Sequence, residues 1–141
     1  MILHDVNILV HAHREDSPHH ALCRGEIDNM LATPAAFGLS PLILSGLVRV
    51  VTHPRVFDPP SPSSLAMQFC DFLIAQPQAT VVRPGRRHWQ IFSELVEQGN
   101  CRGNLVPDAY LAAIAIEHGA TFVTLDRDFA RFEALEWRLP A

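Results

Sequence analysis

The sequence contains no lysine, because all eleven residues of its Lys and Arg total are arginine. That absence excludes P-loop nucleotide hydrolysis, which needs a lysine on the phosphates, and every mechanism that passes through a lysine amine or Schiff base. Cysteine is scarce as well: Cys23, Cys70 and Cys101 are far apart, odd in number and form no C-x-x-C pair. This suits reduced thiols in a reducing compartment. No apolar run approaches the ~20 residues that cross a bilayer, and Met1 leads into a strand-like segment rather than a basic region with an apolar signal core. A soluble, cytoplasmic chain without membrane association is the expectation. Net charge is also small, at −4, with a pI near 6.0. A dominant nonspecific attraction to phosphate is therefore excluded, and any nucleic-acid binding must come from a local site.

What is present is enough apolar material for a core. With 141 residues, 48% of them hydrophobic and 18% charged, the chain is expected to fold as one domain over 1–141 without disulfide staples. Met1 to Val6 reads as a short strand, and the segment from Asn7 to His13 changes to helical spacing, with Asn7 a candidate N-cap. Ser17-Pro18 signals a helix through Met30 and Leu31 that turns Leu22, Ile27, Met30 and Leu31 to the core. Phe37-Gly38-Leu39 reads as a strand. Ser40-Pro41 then opens a helix through Val51 that is apolar on nearly every face and expected to be buried. A proline-rich loop follows, with Pro54, Pro59, Pro60 and Pro62.

Beyond it the pattern predicts a helix through Met67, Phe69, Phe72 and Leu73, a strand over Ala79 to Arg83, and a helix through Trp89, Phe92, Leu95 and Val96 that stops at Gly99-Asn100. A last helix runs from Leu105 to His118 with Pro107 in its first turn and Gly119 at its stop. Thr121 to Leu125 is the clearest strand. Alternating strands and helices imply an α/β fold with a mainly parallel sheet of four or five strands, covered on both faces.

Asp5 ends the first strand and Asp126 directly follows the strand from Thr121 to Leu125. Sites in open parallel sheets form outside the carboxyl ends of strands, so these two acids are expected to converge. Asp108, in the first turn of the preceding helix, and Asp128 are candidates to join them. Each has a bland alternative: Asp108 is favourable near a helix N-terminus by dipole alone, and Asp128 could simply cap a short helix. Asp5 is harder to dismiss, since a carboxylate at the end of an apolar strand needs a partner. Four acids at one edge repel unless a cation intervenes, and hard oxygen donors without a matching His or Cys set favour Mg²⁺ or Mn²⁺ over Zn²⁺. Such a site suits phosphodiester hydrolysis by a metal-activated water.

Asp5-Val6-Asn7, Pro107-Asp108-Ala109 and Thr124-Leu125-Asp126-Arg127-Asp128-Phe129 together resemble the motifs of PIN-domain ribonucleases, specifically the VapC toxins of bacterial toxin–antitoxin systems. The resemblance spans essentially the whole chain. It implies a PIN-like three-layer α/β/α sandwich and a Mg²⁺-dependent endoribonuclease acting on structured RNA, often tRNA. It also implies a cognate VapB-type antitoxin and a homodimer, to which the helix from Leu42 to Val51 would contribute. Residue by residue, Asp5, Asp108 and Asp126 match the metal-binding acids, Asp128 an auxiliary catalytic member, and Asn7 and Thr124 the polar residues that orient them. One departure stands out: where such proteins commonly carry a glutamate, within a stretch resembling P-L-T-E-S-G, Pro41-Leu42-Ile43-Leu44-Ser45-Gly46 places Leu44.

Other signals are weaker. His4, His11, His13, His19 and His20 are concentrated near the N-terminus, but His11 and His13 do not share a helix face as an i, i+4 zinc pair would. His4 is expected on the side of its strand opposite Asp5. Arg83, Arg86 and Arg87 surround a turn, and Arg14, Arg49 and Arg102 are further candidates for phosphate contact. Trp89 and Trp137 are expected in the core or an interface. Two readings compete with the nuclease. A phospho-acceptor domain would need the missing lysine, and a PIN-fold module that binds RNA or antitoxin without cutting would draw its support from Leu44.

Overall fold

A computed structural model describes all of residues 1–141. Five strands, β1 (Ile2–His4), β2 (Phe37–Leu39), β3 (Ala79–Val81), β4 (Thr121–Val123) and β5 (Trp137–Arg138), form one sheet in the order β3-β2-β1-β4-β5. Every pairing is parallel. Six helices connect them: α1 (Val6–His13), α2 (His20–Leu31), α3 (Pro41–Val51), α4 (Ser63–Ile74), α5 (His88–Gln98) and α6 (Leu105–Glu117). The expected α/β class is present, with strands shorter than their apolar runs.

Consecutive strand residues point to opposite faces of a sheet. Leu3 and His4 are both buried, as are Phe122 and Val123, so helices cover both sides of the sheet's centre. The edge strand β3 differs, with Thr80 and Val81 exposed. Four alanines of α6, Ala109, Ala112, Ala113 and Ala115, are fully buried. Their short side chains let this helix lie close to the sheet. It ends in a Schellman turn on Gly119 (φ +62°), whose own amide donates to the Ile116 carbonyl while the Ala120 amide donates to that of Ala115. At the end of α5 the left-handed position is taken by Asn100 (φ 46°) rather than Gly99.

Several expectations are corrected. Asp5, not Asn7, caps α1, its Oδ1 accepting from the Val6 amide at 2.7 Å. The helix signalled by Ser17-Pro18 begins only at His20, because the buried Ser17 hydroxyl is engaged by the His11 ring. Leu22 is 42% exposed, since α2 buries Cys23, Glu26, Ile27 and Met30 instead. The third helix is not buried all round. Ile43, Leu44, Leu47 and Val51 form its inner stripe, whereas Leu42, Ser45 and Arg49 lie on the open side. Trp89 is 70% exposed on α5 and not in the core.

The strand order places β1 at the point where the chain reverses its direction of growth across the sheet. β2 and β3 are added on one side, and β4 and β5 on the other. A crevice opens at the carboxyl ends of strands flanking such a switch point, here β1 and β4.

Candidate active site

The register of β1 on β4 pairs Ile2 with Thr121, Leu3 with Phe122 and His4 with Val123. One step further, Asp5 therefore stands beside Thr124, and the Thr124 hydroxyl donates to Asp5 Oδ2 at 2.7 Å. Asn7, the second residue of α1, ties the same groups together. Its Nδ2 donates to Asp5 Oδ2 at 3.1 Å and to Thr124 Oγ1 at 3.3 Å, while its Oδ1 accepts from the Leu125 amide at 3.2 Å. The Asp126 amide donates to Thr124 Oγ1 at 3.0 Å, and Asp126 Oδ1 accepts from the Asp128 amide at 2.9 Å. Asp126 thereby caps the short 3-10 helix Arg127–Arg131. Residues 117 to 119 positions apart in sequence are thus joined in one hydrogen-bond network.

Asp5 and Thr124 are buried. Burial raises the Asp5 carboxyl above the usual carboxylate range, the bonds from Thr124 and the Val6 amide oppose this, and the charge of Asp126 raises it further. Asp108 approaches from the first turn of α6. Burial together with the charges of Asp126, Asp5 and Asp128 pushes its carboxyl up to about 6, against a smaller opposing effect of Arg131. All four sequence-selected acids therefore meet at one edge of the sheet. No three of the chain's His, Cys, Asp and Glu side chains stand in a preformed ligating arrangement. Within the acidic group the donors are carboxylate oxygens without a thiolate or imidazole, a set that fits a hard divalent cation.

A cleft of about 890 Å³ adjoins the acids between α3 and α6. Val6 and Pro107, the chain neighbours of Asp5 and Asp108, line it together with Gly46, Arg49 and Arg83. This corrects the reading of α3. Leu44 faces away, into an apolar groove with Met67 and Cys70, and it is buried. A Cβ on Gly46 would lie 3.0 Å from Val6 Cγ2, so the third-helix position facing the start of α1 is Gly46, two residues along and on the other side of the helix.

The N-terminal histidines do other work. His4 is buried and its Nε2 meets Glu26 Oε1 at 3.1 Å. Arg138 donates to the same carboxylate at 2.8 and 3.3 Å, and the Ala141 amide at 3.0 Å. Burial alone would raise the Glu26 carboxyl, but these bonds outweigh it and hold the group at about 2. His11 is half-buried edge-on to His19, with ring centres 5.0 Å apart. All three cysteines are free and buried, and burial pushes the Cys23 thiol up to about 11, which leaves it unreactive.

Sequence reasoning missed three residues. Glu26 was legible as an acid inside the buried stripe of α2. Gly46 was legible only once the facing of α3 was known. Glu117 accepts the Gly85 and Arg87 amides at 2.7 and 3.0 Å, anchoring the loop after β3 in a way that no local pattern signals.

Comparison with known proteins identifies the family and the fold. Residues 2–135 match the PIN domain family. The chain is 44% identical over 140 residues to the VapC ribonuclease Mb2897 of Mycobacterium bovis, covering 99% of this chain and 95% of that protein. It is 41% identical over 135 residues to ribonuclease VapC25 of Mycobacterium tuberculosis, covering 96% and 95%. Among solved structures, VapBC2 from Rickettsia felis, bound to a promoter DNA fragment, superposes with a TM-score of 0.72 over 100% of both chains at 20% identity. VapBC-1 from nontypeable Haemophilus influenzae gives 0.67 at 18% identity, covering 98% of this chain and 97% of that one. At those identities the structural matches bear on the fold.

Proposed function

The chain belongs to the PIN-domain family and, within it, to the VapC ribonucleases, and from that premise we propose that its acidic edge is the active site of a divalent-metal-dependent endoribonuclease. The observation that carries the reading is the convergence of Asp5, Asp108, Asp126 and Asp128 at the carboxyl ends of β1 and β4, close enough for the charges of the other three to bear on Asp108. Carboxylates placed this close raise one another's proton affinity, and a cation is the usual means of keeping them ionised together. Asp5, Asp108 and Asp126 would hold Mg²⁺, for which Mn²⁺ could substitute, either directly or through water, with Asp128 auxiliary. A divalent ion bound there supplies Lewis acidity and neutralises charge building on the phosphate during hydrolysis.

The chain's own groups do the positioning. Thr124 and Asn7 fix the rotamer of Asp5 by binding Oδ2, and the Val6 amide holds Oδ1. The Asp128 amide holds Asp126. Burial of Asp5 keeps competing water off that carboxylate and strengthens its electrostatic effect.

The substrate is RNA, most simply a structured one such as tRNA, and the protein acts as the toxin of a toxin–antitoxin pair as a homodimer, silenced by a VapB-type antitoxin. The support is the naming of the relatives as VapC ribonucleases and the presence of VapBC assemblies among the fold's neighbours. Cleavage of tRNA by purified protein in Mg²⁺, compared with Asp5→Asn and with EDTA, tests the activity. Loss of cutting in both comparisons is expected, and equal cutting in all three would overturn the assignment.

A further inference from the structure

We infer that Arg49 and Arg83 form the anchor for the RNA backbone beside the acidic edge, binding phosphates of the strand that flanks the scissile bond. This rests on the nuclease reading and adds to it the groups that hold the substrate. Of the eleven arginines, Arg14, Arg24 and Arg138 are engaged with carboxylates. Arg49 and Arg83 make no ion pair and no side-chain hydrogen bond, although both line the cleft that begins at the neighbours of Asp5 and Asp108. No acidic side chain lines that cleft. A chain of net charge −4 thus carries, directly next to its densest negative cluster, two guanidinium groups that are in no ion pair, with Asp71 the one carboxylate on the adjoining groove that both also line.

Geometry makes the placement specific. β3 is parallel to β2 and β1, so the residue two past its end, Arg83, emerges at the same sheet edge as Asp5. The following loop is pinned by the Glu117 carboxylate through the Gly85 and Arg87 amides. Arg83 is therefore presented from a fixed backbone, and less entropy is lost when a phosphate binds. Arg49, on the open side of α3, reaches the same space. The planar donor fork of arginine matches phosphate oxygens. Half-buried Phe92 and Tyr110, with ring centres 5.6 Å apart, also line the cleft, and aromatic walls suit unstacked bases as well as phosphate neighbours. An acidic polypeptide would use the guanidiniums but has less use for those rings.

The test is fluorescence anisotropy with a labelled 20-nucleotide single-stranded RNA between 50 and 200 mM KCl, in an Asp108→Asn background that does not cut. Adding R49A and R83A together is expected to weaken binding at least about tenfold at low salt. It should also make the slope of log K against log salt shallower by about 1.4, at ~0.7 per single-strand phosphate contact. The charge-matched pair R24A and R55A should leave the slope unchanged. An unaltered slope in the first pair, or an equal change in the second, overturns the assignment. So does loss of binding to a labelled decaglutamate peptide with RNA binding intact, which would mark the cleft as a protein site. Wild-type cleavage in Mg²⁺ is scored separately. If the wild type cuts and the slope stays unaltered, only the arginine anchor falls. If the wild type does not cut, the nuclease reading falls whatever the slope.

Discussion

Replacing Asp108 by asparagine should abolish cleavage and yet make the metal-free protein more stable. The Asp108 carboxyl sits at about 6 instead of 3.8, so in the absence of a cation the native state penalises its ionised form. The two-unit displacement corresponds to roughly 3 kcal/mol at 1.36 kcal/mol per unit. Asp108 is only half-buried, and solvent screening reduces this to about 1–2 kcal/mol. For a chain of this size that is a rise in melting temperature of roughly 3–6 °C.

The sign fixes the pH window. Below about pH 4 the carboxyl is protonated in both folded and unfolded chains, and the variant gains nothing. Between about pH 4 and 6 the unfolded chain ionises first, the wild type loses stability as pH rises, and the gap opens. Above about pH 6 it is constant. Scanning calorimetry in EDTA at pH 4 and pH 7.5 measures it directly. Saturating Mg²⁺, at 100 times its dissociation constant, should then add about 2.7 kcal/mol to the wild type and close the gap. A variant that melts no higher than wild type at pH 7.5 in EDTA, or by the same margin at both pH values, would refute the repulsion on which the site is argued.

Two more outcomes follow from groups away from the acids. Glu26→Gln should cost about 2–3 kcal/mol near neutral pH in urea unfolding, because Arg138 and His4 lose a buried anionic acceptor. Since the Glu26 carboxyl is held at about 2, below its ordinary 4.5, its contribution is complete above about pH 4.5 and disappears as pH falls toward 2, so wild type and variant should converge in acid. Leu44→Glu should leave any Mg²⁺ titration unchanged while destabilising the fold by about 2–4 kcal/mol, since a buried apolar side chain packed beside Cys70 is lost and Arg49 and Arg83 on the same groove offset only part of the new charge's cost; tighter Mg²⁺ binding would contradict the placement of Leu44.

The acidic edge was readable because strand topology constrains it strongly. An aspartate after the first strand and another after the strand from Thr121 need only parallel pairing to meet, and the β1 to β4 register supplies that. Asn7 was identified for its motif position but misassigned as a cap, because residue type alone does not say which of two neighbouring polar side chains the Val6 amide will meet. The facing of α3 was illegible for a different reason. With Leu42, Ile43, Leu44, Leu47 and Val48 all apolar, period alone could not identify the exposed side, and so could not say that Leu44 turns away from the acids. Trp89 shows the limit of hydrophobicity as a guide to burial, since a large ring on an outer helix face is a common arrangement. Glu117 holds a loop thirty residues away by two backbone bonds, and nothing near it in the sequence marks that use.

Thr124 receives or gives three of the bonds that order the acids, and it lies 119 residues from Asp5. During synthesis the first seven residues therefore leave the ribosome long before their counterparts exist, and β1 has no β4 to register against. The proposed cutting apparatus is assembled only once β4 has joined β1 in the sheet, so a chain truncated before Thr124 is expected to show no cleavage in the same tRNA assay.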